Sequence, residues 1–128
     1  MSVRIVQLGS GRKAGEGPRI GTVRRPPRGV RKQDHATGDW YDSWLPELSP
    51  SPDLVASVRA AGTDAHWQAF VKAFRREMTA ATPARLLDML ALMSRTANFS
   101  LGCYCQDENR CHRSVLRALL AERGADIE

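Results

Sequence analysis

The feature that most constrains this chain is a run of β-favouring residues that passes through a polar loop into an amphipathic helix. Residues 99–105 (Phe-Ser-Leu-Gly-Cys-Tyr-Cys) contain no proline, whereas Val115, Leu116, Leu119 and Leu120 recur at helical spacing. This pattern predicts a strand, a loop and a helix, with Asp107 or Asn109 capping the first helical turn and Gly124 stopping the last. Such a joint aims the helix dipole and its unpaired N–H groups at the end of the preceding strand, where α/β domains bind anions and hold thiolates.

The same joint collects the chemistry. Cys103, Cys105 and Cys111 are the chain's three cysteines, and His112, Arg110 and Arg113 stand beside them. An odd number of cysteines clustered in so short a stretch cannot form a distributed disulfide framework. No apolar stretch reaches the length of a membrane span, and Met1-Ser2-Val3-Arg4 is not followed by a signal-type apolar run, so the expected setting is cytoplasmic, with no membrane partner.

The net charge of +5 is unevenly spread. Nine Arg or Lys residues face the single acid Glu16 up to Gln33, while the remainder carries ten basic and thirteen acidic residues. A positive N-terminal quarter attracts nucleic acid nonspecifically, or phosphate-bearing and other anionic small molecules such as nucleotides. The few aromatic residues fall mostly outside it, which leaves little to stack bases on.

Along the chain, Val3–Leu8 alternates as a first strand and Arg19–Arg24 reads as a second, stopped by Pro26-Pro27. Residues 9–18 between them read as a flexible, basic, glycine-rich loop without the Gly-Lys-Ser/Thr ending of a phosphate loop. The two prolines hold Arg24, Arg25 and Arg28 on a stiff support, where guanidinium groups can fork onto an anion unless Asp34, Asp39 or Asp42 pairs with them first. Trp40 and Trp44 share a face if residues 39–45 form a helical turn, and both are expected in the core. Ser51-Pro52-Asp53 opens a helix running through Val58 to Gly62. Thr63 or Asp64 opens the next, with Trp67, Phe70, Val71, Phe74 and Met78 on one stripe, and Thr82-Pro83 starts a third. The expectation is one α/β domain over residues 1–128, a small, mostly parallel sheet of three to four strands packed with helices, with the basic turn and the cysteine loop on one rim.

The run Arg24-x-x-Pro27-Arg28-Gly29-Val30-x-Lys32, followed by Trp44-x-x-Glu47-Leu48-Ser49-Pro50-Ser51-x-x-Leu54, resembles the YeaO-like family of small bacterial domains, domain of unknown function 488. Cys111-His112-Arg113-Ser114-x-Leu116 is similar to the Cys-His-Arg signature of other branches of that wider family. The resemblance spans residues 19–122 and brings no activity with it. Val23 and Arg25-Pro26 stand where the family commonly has an acid and a Leu-Trp pair.

Three chemistries fit the cysteine loop. Cys105 and Cys111, beside Arg110, His112 and Arg113, suit a thiolate nucleophile with His112 as catalytic partner, and the spacing Cys105-x4-Arg110 resembles a sulfur-transfer loop lacking its glycines. Arg24, Arg28, Arg110 and Arg113 suit an anion-binding set. Cys103, Cys105 and Cys111 suit zinc, with His112, His35 or His66 as a fourth ligand. Against zinc, adjacent Cys111 and His112 diverge by about a hundred degrees if both lie on a helix. The leading expectation is an anion-binding strand-loop-helix site with thiol- or metal-assisted chemistry. The alternatives are a nucleic-acid-binding module with structural cysteines and a metal-stabilised interaction domain.

Overall fold

A computed structural model describes residues 1–59 and 62–128. Four strands form one parallel sheet: β1 (Val3–Gln7), β2 (Arg19–Gly21), β3 (Ser43–Trp44) and β4 (Phe99–Cys103), in the order β1-β4-β2-β3. The last strand in sequence therefore sits between the first two. Val3 to Gln7 pair with Phe99 to Cys103, and on the other side Arg19 to Gly21 pair with Ser100 to Gly102. Every residue of β4 is buried, which explains why it reads as a nearly continuous run of small and apolar residues without charge.

The four helices are α1 (Pro52–Arg59), α2 (Asp64–Glu77), α3 (Ala81–Met93) and α4 (His112–Glu122); the first two open at the expected caps, whereas α3 starts at Ala81, ahead of the expected Thr82-Pro83. Ser51 Oγ accepts from the Leu54 N–H and Pro52 takes the first helical position, while Thr63 accepts from the His66 N–H to open α2. The expected continuation of α1 toward Gly62 passes through residues 60 and 61, outside the described residues. The α2 stripe packs as expected, with Phe70, Phe74 and Met78 buried and Trp67 and Val71 against them, joined by Leu87, Leu90, Leu116 and Leu120 and by Phe99 and Leu101 of β4. Gly124, at φ 76°, ends α4.

The other face of the sheet, which carries Ser100 and Gly102, is covered by irregular chain. Glu16 accepts from Ser100 Oγ at 3.1 Å and from Arg19 Nε at 2.5 Å, and Arg19 also donates to the carbonyls of Ser10 at 2.8 Å and Asp39 at 2.7 Å. Arg19 is fully buried, so one guanidinium fastens two connections without an α-helix, residues 8–18 and 22–42, over the sheet; the second holds only a 3-10 turn, Lys32–Asp34. Gly17 turns the first connection at φ 78°, with its Cα so close to the Asn98 carbonyl that an added Cβ would overlap it. Gly17→Ala is expected to lower stability by about 1–3 kcal/mol from the left-handed backbone alone. Gly11→Ala, which meets nothing within 4 Å, should stay within about 0.5 kcal/mol. Urea midpoints of the two variants check the contrast.

The region around Trp44 departs from expectation. Residues 43 and 44 pair with Ile20 and Gly21 as a strand rather than forming a helical turn, and Trp44 is 38% exposed with its Nε1 donating to the Val23 carbonyl at 2.6 Å. Burying that ring in the core would have stranded the indole N–H; at the sheet edge it finds an acceptor. Trp40 is half-buried against a second, smaller apolar cluster of Leu8, Val23, Tyr41, Cys103 and Cys111.

Candidate functional site

The second cluster lies beyond the C-terminal ends of β1, β4 and β2, where a parallel sheet gathers its loops. After Cys103 the chain leaves β4, and Asp107 accepts from the Asn109 N–H at 3.0 Å to cap a short 3-10 turn, Glu108–Arg110. The expected helix cap thus serves this turn, and α4 starts only at His112. Glu108 fixes the loop to α4 through two bonds from Arg117, of 2.7 and 2.9 Å.

The late helix start decides the geometry of the thiols. Cys111 has extended backbone (φ −123°, ψ 150°), so it is not held to helical spacing from His112, and the expected divergence of the two side chains does not occur. Cys111 Sγ lies 3.7 Å from His112 Nδ1, and Cys103 Sγ lies 3.8 Å from Cys105 Sγ. The donor atoms of Cys103, Cys111 and His112 all fall within 4.8 Å of one another. All three cysteines are free thiols; Cys103 and Cys111 are buried and Cys105 is exposed.

His112 is fixed from behind. Its Nε2 lies 2.6 Å from the Thr22 carbonyl, and because a carbonyl only accepts, Nε2 carries the proton. Nδ1 then faces Cys111: in the neutral ring it offers a lone pair to the thiol or to a metal, and once it has taken the thiol's proton it donates to the thiolate. Phe74 meets the imidazole edge-on at 5.7 Å, tying the main core to the site. His66 instead bonds Thr63 Oγ1 at 2.6 Å and His35 packs on Tyr41, so neither belongs to the Cys-His cluster found among the described residues.

The sulfurs divide their protons unequally. Hydrogen bonding from Cys103, then from Cys111, and the charge of Arg113 pull the Cys105 thiol down to about 3 against the opposing effect of burial. Bonding from Cys103 also lowers Cys111, helped by His112, and Cys103 is itself pushed up by its interactions with Cys105 and Cys111 and by burial. Cys103 is therefore the protonated donor between two sulfurs that favour the thiolate.

These groups line a pocket of about 860 Å³ whose walls bring together the two segments expected on one rim: Arg24, Arg25 and Arg28 from the turn after β2, and Cys103, Cys105, Arg110, Cys111 and His112 from the loop. The arginines differ in what remains free. Arg24 donates to the Ser49 and Pro50 carbonyls and pins the turn to the entry of α1. Arg110 pairs with Asp64 and lies 6.0 Å over Trp67. Arg113 is buried outside the pocket lining, donating to the Cys105 carbonyl at 2.6 Å, with its Nε lacking a partner among the described residues. It holds the cysteine loop rather than facing the pocket. Arg25 and Arg28 have no carboxylate partner among the described residues, because Asp34 pairs with Arg31 and both Asp39 and Asp42 pair with Arg12.

Tyr104 and Thr22 complete the site through strand neighbours distant in sequence, which no local pattern shows, whereas Arg25 belongs to the arginine cluster visible in the sequence.

The family model described as the Active DUF488-N3 subclade matches residues 3–124. The chain belongs to the DUF488 family. That match runs from the first residue of β1 to the glycine that ends α4, so it takes in the whole sheet and the site of this DUF488 domain. No curated protein and no solved structure matches the chain. No helix among the described residues is long and apolar enough to cross a membrane.

Proposed function

We propose that this DUF488 domain is a cysteine-nucleophile enzyme acting on a small, phosphate-bearing or otherwise anionic substrate in a reducing, cytoplasmic setting. The observation that carries the reading is the meeting, in one pocket, of an exposed Cys105 sulfur with Arg25 and Arg28, two guanidinium groups that no carboxylate of the described chain occupies. The arginines hold the substrate's charge, and the sulfur displaces a leaving group from its electrophilic centre. The sulfur's electron pair forms the new bond, the leaving group departs with the pair of the broken one, and water hydrolyses the adduct to restore the thiol. Arg113 is a positioning residue that orients the Cys105 carbonyl and favours charge on the sulfur. The family description's word "Active" accords with an intact set of such residues.

The charge selectivity of alkylation tests this. Iodoacetate is expected to modify Cys105 faster than neutral iodoacetamide, inorganic phosphate should protect against both, and Arg28→Ala should abolish the preference for the anion. Equal protection by sodium chloride and by phosphate at matched ionic strength would remove the specific anion site.

A second reading, a zinc centre on Cys103, Cys105, Cys111 and His112 Nδ1, is favoured by the convergence of three donor atoms within 4.8 Å and by the hydrogen bond that already orients the imidazole. One equivalent of zinc in protein purified without chelator, released by Cys111→Ser, would replace the nucleophile reading. A nucleic-acid interface has fewer free charges than the sequence suggests, because Arg4, Arg12, Arg19 and Arg31 are each paired with a carboxylate.

A further inference from the structure

A second depression, of about 1020 Å³, opens on the far side of the basic turn, with Trp40, Leu8 and Pro27 among its walls. It shares Arg25, Arg28 and Tyr104 with the cysteine pocket, so these three residues form a saddle between two chambers. The saddle is held from three directions. Tyr104 donates its hydroxyl to the Arg25 carbonyl at 2.8 Å, the Trp44 indole donates to the Val23 carbonyl, and Arg24 is bonded to the Ser49 and Pro50 carbonyls. Pro26 and Pro27 remove further backbone freedom between the two free arginines. The first chamber offers an apolar wall of Pro50, Val55 and Phe70, and the second offers the indole of Trp40. Each has the size of an ordinary small-ligand pocket.

We infer that the substrate class is a dinucleotide, two nucleosides joined through a pyrophosphate, with the bridge on the Arg25–Arg28 saddle, one nucleoside in the cysteine chamber and the other against Trp40. This rests on the anion site proposed above and extends it. Free guanidinium groups on a rigid turn supply forked donors for adjacent phosphates, and their place between two chambers suits a charge in the middle of a molecule. A terminal phosphate would leave the Trp40 chamber without a role. A base resting on that indole gains stacking energy that tolerates any base.

The test uses the full chain and three probes, inorganic pyrophosphate, ADP and P1,P2-di(adenosine-5′) pyrophosphate, titrated calorimetrically. The symmetric dinucleotide is expected to bind at least tenfold more tightly than ADP, and ADP more tightly than pyrophosphate. Arg28→Ala, at an exposed position, should weaken all three at least fivefold. Trp40→Leu, which keeps an apolar side chain for packing, should bring the dinucleotide to the affinity of ADP and leave ADP unchanged. Equal affinity of dinucleotide and ADP, or tighter binding of a single-stranded tetrathymidylate than of the dinucleotide, would overturn the inference. Alkylation of Cys105 separates the two levels. Protection by pyrophosphate without any dinucleotide advantage leaves the anion site standing and removes only this extension, whereas no protection by pyrophosphate removes both.

Discussion

Arg19→Ala is expected to destabilise the domain by about 3–5 kcal/mol at neutral pH. The side chain is completely buried and donates to Glu16 and to the carbonyls of Ser10, Gly11 and Asp39, while its backbone N–H bonds Asp42 at 2.7 Å. Its loss leaves the Glu16 carboxylate buried without its cation, and breaking such a pair costs about 3–5 kcal/mol. Native domains hold only about 5–15 kcal/mol in reserve. The same substitution releases both connections that cover one sheet face, so the cost falls on tertiary structure rather than on one contact. Urea unfolding followed by circular dichroism should show a midpoint lower by more than about 1 M, given slopes of about 1–3 kcal/mol per molar urea. A smaller shift would mean that the irregular layer is not fastened by this residue. The pH dependence follows from the same pair. Burial raises the Glu16 carboxyl, but bonds from Arg19, the Lys13 N–H and Ser100 outweigh it and hold the group below its usual 4.5. A carboxylate depressed in the folded state stabilises above its unfolded value, and that contribution disappears as the pH falls through the folded one. The wild-type urea midpoint should accordingly fall in acid below about pH 4, and Glu16→Gln should flatten that part of the profile.

Cys105→Ser should remove nearly all fast thiol modification. An ordinary thiol near 8.5 loses about tenfold in thiolate for each pH unit below that value, so its alkylation slows about a thousandfold between pH 8.5 and 5.5. Cys105, pulled down to about 3 first by hydrogen bonding from Cys103 and helped by the charge of Arg113, is already a thiolate across that range. Its iodoacetamide rate should be nearly flat from pH 5 to 8. At pH 6 the serine variant, left with two buried thiols, should react at least about a hundredfold more slowly. A wild-type rate that falls tenfold per pH unit through this range would show an ordinary thiol at Cys105 and remove the electrostatic role given to Cys103 and Arg113. Cys103→Ala, which removes the hydrogen bond that lowers Cys105 most, should restore a sloping profile, and Arg113→Met should raise the Cys105 value by less.

What the sequence determined by itself is whatever depends on neighbours a few residues apart. The stripe from Trp67 to Met78, the Thr63 cap, the Ser51-Pro52 helix entry and the Gly124 stop are settled by contacts within about one helical turn, and they appear in the fold where the pattern puts them. The strand-loop-helix joint is legible for the same reason, and with it the clustering of the cysteines and His112. Tertiary structure alone decided the rest. Residues 43 and 44 are a strand because Ile20 and Gly21 lie beside them, a condition that no local period can express. The division of labour among Arg24, Arg25 and Arg28 follows from which acids other arginines had already taken, and from which carbonyls the entry of α1 brings within reach of Arg24. The meeting of Cys103, Cys111 and His112 needed both the insertion of β4 between β1 and β2, which brings Thr22 to the imidazole, and a helix that starts one residue after Cys111. Spacing within a segment is fixed by backbone geometry, whereas the approach of segments is fixed by how the whole chain buries its apolar surface and pairs its buried charge.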